Sequence, residues 1–422
     1  MFKYLILIIL LSSLFLISCD KEIPKEYVIQ FGGEWTDTPK SIKIDSQNNI
    51  YILGVISGDK EDDPYHIFLS KYNIYGEKVW IKKWSFEDRR QYYFRNFYLE
   101  IDKKDNIYIS IGSSYYNSEG RIKSSSRLFR KFKPNGEEIL TKKIEYNESR
   151  YLYDNITFNS ENNIISIENN KINTINDSLE LLSSKEYNKP ENYDNHHITF
   201  NNDNMFIFGR IRNPKGKSVG IYYDKYDKDG ILKNEYEYFL NSPYDQSGVF
   251  IKKLLFDKNN NLYLIGSSDG DYDGNTNGGG SCDEDDHRAP CNDFIITKFD
   301  SLGNKLWSTQ FGDGGDQSYN GAVLYDENIY ILGTEDNEYK YQPDLHLFKL
   351  NLNGEVLLKK IIEAPRDAGL AYSDKGTDMT VDDKGNLYIL GYTDGSMTGK
   401  KRTDEDYDIF FMKLDSSKLK AD

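Results

Sequence analysis

Asp269-Gly270-Asp271-Tyr272-Asp273-Gly274-Asn275 is the stretch whose residue types and spacing come nearest to a metal site. Carboxylates at alternate positions followed by glycine make the D-x-D-x-D-G opening of a calcium loop, in which side-chain oxygens converge and glycine permits the tight turn. The expected ligands are Asp269, Asp271, Asp273 and Asn275, with Ca2+ as the ion. Gly280 stands where an EF-hand loop has its bidentate glutamate, so Glu284 or its acidic neighbours would have to complete the shell. The competing reading is a solvated acidic loop. Cys282 and Cys291 lie in the same segment, nine positions apart. A local disulfide suits an exported chain, whereas a metal site through His287 falls short of the usual four ligands.

Gly266-Ser267-Ser268-Asp269-Gly270 fits the G-x-S-x-G of a hydrolase elbow, but that turn must lead into a helix and here a polar loop follows. The five histidines form neither H-x-x-x-H nor H-E-x-x-H. His66 and His346 read as equivalent starts of a repeated strand. No pair of carboxylates stands out as acid and base, so no catalytic residue is assigned.

What must position any such group is a repeat. The phrase Leu254-Leu255-Phe256-Asp257-Lys258-Asn259-Asn260-Asn261-Leu262-Tyr263-Leu264-Ile265-Gly266 is a short apolar strand, an Asp/Asn-rich turn and a second strand ending in glycine. Close versions end at Gly54, Gly112, Gly209, Gly333 and Gly391, and a decayed one surrounds Ile167. Each unit continues through a third strand, a hairpin turn and a fourth strand. The turns Asn135-Gly136, Asp229-Gly230 and Asn353-Gly354 are strong hairpin signals. Units of roughly 40–70 residues built only from strands predict a β-propeller. The expected fold class is all-β, a seven-bladed β-propeller of four-stranded antiparallel blades. The seventh unit lacks a fourth strand, while Tyr27-Val28-Ile29-Gln30-Phe31-Gly32-Gly33 matches Trp307–Gly312, both carrying Gln-Phe-Gly. The N-terminal strand should therefore close the last blade and leave no open sheet edge. The propeller is expected over residues 27–415, with 416–422 a polar tail.

Residues 1–18 read as a leader: Lys3, then an apolar run too short to span a bilayer. Leu16-Ile17-Ser18-Cys19 resembles the bacterial lipobox, which implies cleavage before Cys19 and acylation of its thiol, palmitate included. Two or three acyl chains anchor stably. Residues 19–26 form the lipidated tether, reaching about 30 Å when extended. The expected location is the bacterial cell envelope, lipid-anchored and extracytoplasmic, with membrane and leaflet left open. Fifty-three Lys and Arg stand against 68 Asp and Glu, a net charge of −15, with no basic stripe. Nucleic acid is a poor partner for such a chain.

Asp382-Asp383-Lys384-Gly385-Asn386-Leu387-Tyr388-Ile389-Leu390-Gly391 and Asp293-Phe294-Ile295-Ile296-Thr297-Lys298-Phe299-Asp300 resemble the SBBP-type bacterial propeller repeat. The likeness covers nearly all of residues 27–415, though Asn155–Tyr187 departs from it. Trp80 and Trp307, each four residues after a turn glycine, are also similar to the docking tryptophan of quinoprotein-like propellers. The resemblance implies secretion and a binding scaffold, not one shared reaction. The expected role is a monomeric binding or scaffold module for a protein or glycan partner, anchored to the bilayer by Cys19. A carbohydrate hydrolase or lyase on the same frame, or an envelope-assembly lipoprotein, are the alternatives. The segment Ser267–Asn292 is the first place to look for contacts, and Tyr115, Tyr116 and Tyr339 the second.

Overall fold

The computed structural model describes residues 23–419 apart from 34, 58–64, 86–91, 117–121, 147–155, 169–170, 188, 217, 240–247, 277–290, 313–315, 337–342, 366–371 and 399–405. Its strands form seven four-stranded antiparallel sheets, the blades of a propeller. Blade one runs outward from the channel through Thr38–Ile44, Ile50–Ile56, His66–Tyr72 and Lys78–Ser85. Blades two to six repeat that order over 92–146, 156–186, 193–239, 249–311 and 316–362. Blade seven has Asp374–Val381, Asn386–Thr393 and Asp408–Asp415, and takes its outer strand, Tyr27–Phe31, from the N-terminus. Tyr27 pairs with Lys413 and Phe31 with Ile409. The expected closure is present. The fold also runs past residue 415: Ser416–Lys418 form a 3-10 turn and Leu419 is buried among residues of blades six and seven.

Local chemistry explains why each blade folds. In the first turn of blade five, Asp257 accepts hydrogen bonds from the Asn259 and Asn261 amides (both 2.9 Å), the Asn261 side chain (2.8 Å) and the Tyr263 hydroxyl (3.1 Å). Burial pushes this carboxyl up, but the Asn261 side chain, the two amides and Tyr263 together hold it below the usual carboxylate range. Asp45, Asp102 and Asp382 hold the same set of partners in their own blades. Blade three has Asn159 there, which accepts only from the Glu161 and Asn163 amides, and Ile165 replaces the tyrosine. Its strands are short, the innermost being Ile156–Phe158. It nevertheless completes a four-stranded sheet.

A second repeated device joins neighbouring blades. The third-strand lysine of one blade donates to a carbonyl in the last turn of the next. Lys71 reaches Pro134 (3.1 Å), Lys225 reaches Ser301 (3.2 Å) and Lys298 reaches Leu352 (3.1 Å). At the ring closure the chain ends supply the carbonyl: Lys349 reaches Leu419 and Lys413 reaches Pro24, both at 3.1 Å. Trp80 and Trp307 lie over Gly136 and Gly354 of the following blades. Both glycines have φ of +85°, and a Cβ would meet the indole at 3.0 and 2.7 Å, so glycine is required twice over. Tyr27 fills the same place over Gly76, and Asn234 over Gly303.

Because all strands in a blade are antiparallel, the first-to-second and third-to-fourth connections fall on one face. These are the tight, hydrogen-bonded turns. The second-to-third connections and the links between blades fall on the other face, and they carry most of the length variation. The chain enters its first strand at Tyr27 on the tight-turn face, with Pro24 held there by Lys413.

Candidate functional site

The segment singled out for calcium lies on the variable face. Tyr272 is fully buried, packed against Tyr238, and its hydroxyl shares a hydrogen bond with Thr297 (2.7 Å). That plug fixes the residues on either side. Asp273 sits at φ +51° in a tight turn, and its carboxylate takes both the Lys305 ammonium and the Ser308 hydroxyl. Asp269 accepts from the Gly248 amide, and Asn275 donates to the Tyr272 carbonyl at 3.0 Å. Among the described residues no group of three or more His, Cys, Asp or Glu gathers as a metal cluster. A cation at Asp273 would have to compete with the Lys305 ammonium. Cys291 is buried and disulfide-bonded; Cys282, like Cys19, Glu284, His287 and Tyr339, lies outside the described residues. Tyr115 and Tyr116 belong to the strand Ile107–Tyr116 rather than to a long loop. His66 and His346 are not equivalent either. His346 stands opposite the repeat glycine Gly333, whereas His66 faces Ile56, two residues beyond Gly54.

The polar constellation that the sequence reading missed is in the central channel. Six of the inner strands carry a β-bulge, at Lys40, Asn96, the Asp194–His197 step, Lys252, Asn320 and Thr377. A bulge re-aims the side chains around it. Lys43 of blade one pairs with Glu100 of blade two at 3.1 Å. Asp378 of blade seven accepts from the Ser41 hydroxyl (2.9 Å) and the Ile42 amide (3.1 Å) of blade one. Burial would push the Lys43 ammonium down, but Glu100 and Asp378 more than offset this and hold it up. Lys253 of blade five senses Lys43, Asp378 and Glu100, so side chains from blades one, two, five and seven converge across the bore. Burial, then Lys43, pushes the Lys253 ammonium down. Nearer the variable face, Lys40 lies 5.6 Å from the Phe97 ring centre, and Lys252 and Arg210 lie 5.9 and 5.4 Å from that of Phe250. Burial pushes Lys40 and Lys252 down as well, with Arg210 adding to the effect at Lys252.

Glu100 and Asp378 are each already engaged, by Lys43 and by Ser41 with the Ile42 amide. A second concavity, of about 580 Å³, opens between blades three and four. It exists because blade three has Thr174 where the other blades have the clasping lysine, and Ser183 where Trp80 and Trp307 stand. Lys185, Glu186, Tyr187, Asp203 and Lys228 line it.

Two buried carboxylates brace the variable face. Asp37 accepts from the Gly33 (2.6 Å) and Ser57 (2.7 Å) amides, and Asp374 from that of Ala364 (2.7 Å). Burial pushes each up to about 6 despite these hydrogen bonds. Such a group ionises at about 3.9 in the unfolded chain, so it contributes stability at acid pH that is lost as pH rises through about 6. Stability should therefore increase on acidification from pH 7.5 to 4.5, by about 2 kcal/mol for each group. Denaturant titrations across that range check this. The Asp37→Asn/Asp374→Asn double variant should flatten the profile, and an equally steep profile in that variant would refute the assignment.

Similarity to known proteins agrees with the architecture. The family model described as the beta-propeller repeat SBBP matches residues 26–59 and 368–396, at the two sides of the ring closure. The chain is a seven-bladed β-propeller with SBBP repeat matches at those two segments. No curated protein matches it. Among solved structures, a protein from Lactobacillus plantarum shares 14% identity over 77% of this chain and 85% of its own, with a TM-score of 0.48. The β-propeller domain of the Trilobed protease from Pyrococcus furiosus shares 13% over 88% and 96%, with a TM-score of 0.45. The GH93 α-L-arabinofuranosidase of Fusarium graminearum shares 10% over 92% and 99%, with a TM-score of 0.43. Likenesses at this level carry no information about chemistry.

Proposed function

We propose that this protein is an extracytoplasmic lipoprotein, anchored through Cys19, that binds a protein or glycan partner with its variable face. The observation that carries this reading is the segregation of the two faces. The long connections lie on one side, and the chain enters the propeller on the other, where Lys413 holds Pro24. A tether from Cys19 to Tyr27 of about 30 Å or less sets the tight-turn face against the bilayer. The variable connections and the channel mouth then face away from it. Loops on a rigid frame are the natural contact surface of such a fold.

Photo-crosslinking in intact envelopes tests this. A photoreactive residue at Trp35, Asp271 or Glu363 on the variable face should yield partner adducts, and one at Asn135, Asp229 or Asn353 on the tight-turn face should not. Cys19→Ala should release the protein from the membrane fraction. Adducts confined to the tight-turn face, or a Cys19→Ala chain that stays with the membrane, would overturn the reading.

A further inference from the structure

Lys40, Lys252 and Lys253 are cations on inner strands with no hydrogen-bond or ion-pair partner among the described residues. Two of them lie over phenylalanine rings, and the third faces Lys43 across the channel. Arg210 adds a further positive charge beside Lys252. Against these, Glu100 is already paired with Lys43, and Asp378 is hydrogen-bonded by Ser41 and the Ile42 amide. The rest of the molecule is strongly acidic. A cationic bore in an acidic body concentrates the field, because low-dielectric walls focus it toward the mouth. Lys252 and Lys253 are both exposed to the channel, where an anion can reach them.

We propose that the central channel is a binding site for a multivalent oxyanion, a ligand carrying at least two phosphoryl or carboxylate groups. Lys253 receives one anionic group deep in the bore. Lys252 receives another nearer the variable face, where Arg210 adds to the positive field. Lysines are point donors that adapt to either oxyanion. A ligand with a single charge would leave one of the two levels unmatched. The site stands apart from the orientation and partner proposed above, and either can fail without the other.

Isothermal titration of the full-length protein in non-ionic detergent decides it, with tripolyphosphate and citrate as separate probes at 20 and 200 mM KCl. Saturable binding of at least one probe is expected, weakened at least fivefold by the higher salt. Preference for one probe tells a phosphoryl from a carboxylate ligand. Lys252→Gln/Lys253→Gln should reduce affinity at least tenfold, while Lys360→Gln, on an outer strand, leaves it unchanged. Because the two lysines lack partners, the double variant should melt no lower than the parent. No saturable binding at low salt, or equal binding by the double variant, refutes the site. A double variant that melts well below the parent also refutes it, since the lysines would then be structural.

Discussion

Removing residues 23–31 is expected to leave a chain without a cooperative thermal transition. The strand Tyr27–Phe31 is five residues long, but it is the outer strand of blade seven and ties that blade to the chain that starts blade one. Gln30 is its centre. Its amide nitrogen donates to the Gly395 carbonyl and Asp408 (both 3.0 Å), and its oxygen accepts from the Met397 amide (2.9 Å). Phe31 packs on Phe68 and Tyr72 of blade one, and Tyr27 on Phe411 of blade seven. Truncation also deprives Lys413 of the Pro24 carbonyl and bares the edge of Asp408–Asp415 to other chains. Size-exclusion chromatography should show aggregates. The milder Gln30→Ala strands the Met397 amide and should cost about 1–3 kcal/mol. A truncated chain that melts cooperatively as a monomer would show that the ring holds without its clasp.

Asp257→Ala should cost about 3–4 kcal/mol in a denaturant titration, more than most surface-turn changes. Alanine leaves without an acceptor two amides, the Asn261 side chain and the Tyr263 hydroxyl, the last on a fully buried side chain. Asp257→Asn keeps one accepting oxygen and should cost about 1–2 kcal/mol. Blade three is the natural precedent for it, since Asn159 keeps the two amide bonds and has no tyrosine to hold. The carboxyl is held below its ordinary range, so its stabilisation is present above about pH 4 and fades as pH falls further. The gap between parent and Asp257→Asn should narrow accordingly in acid. An alanine variant within 1 kcal/mol of the parent, as an order-of-magnitude threshold, would mean that water satisfies these donors.

The two predictions probe features that were legible to different degrees. The carboxylate turn and the missing fourth strand are local patterns. D-x-x-G/N-N-x-Y encodes its own hydrogen bonds within seven residues, and Gln-Phe-Gly recurs in the N-terminal strand and in the outer strand of blade five. The third-strand lysine was visible too, as the K of the K-x-D phrase, but its acceptor on the next blade lies 46–76 residues away. Tyr272 read as one letter of a calcium loop. Only its packing against Tyr238 shows that this segment is pinned to the blade, with Asp273 given over to Lys305 and Ser308.

By itself, then, the sequence determined the number of blades, their antiparallel order and the use of the N-terminal strand to close them. These follow from period-two patterning and turn chemistry, which act between residues close in the chain. The tertiary structure alone decided the cationic channel and the cleft beside blade three. Lys43, Glu100, Lys253 and Asp378 are separated by up to hundreds of residues and meet only because the ring brings its inner strands to one axis. The signal in the sequence was a charge, such as Lys252-Lys253, interrupting an otherwise apolar first strand. Which face that charge would reach depends on a one-residue bulge, and a bulge is set by pairing rather than by composition.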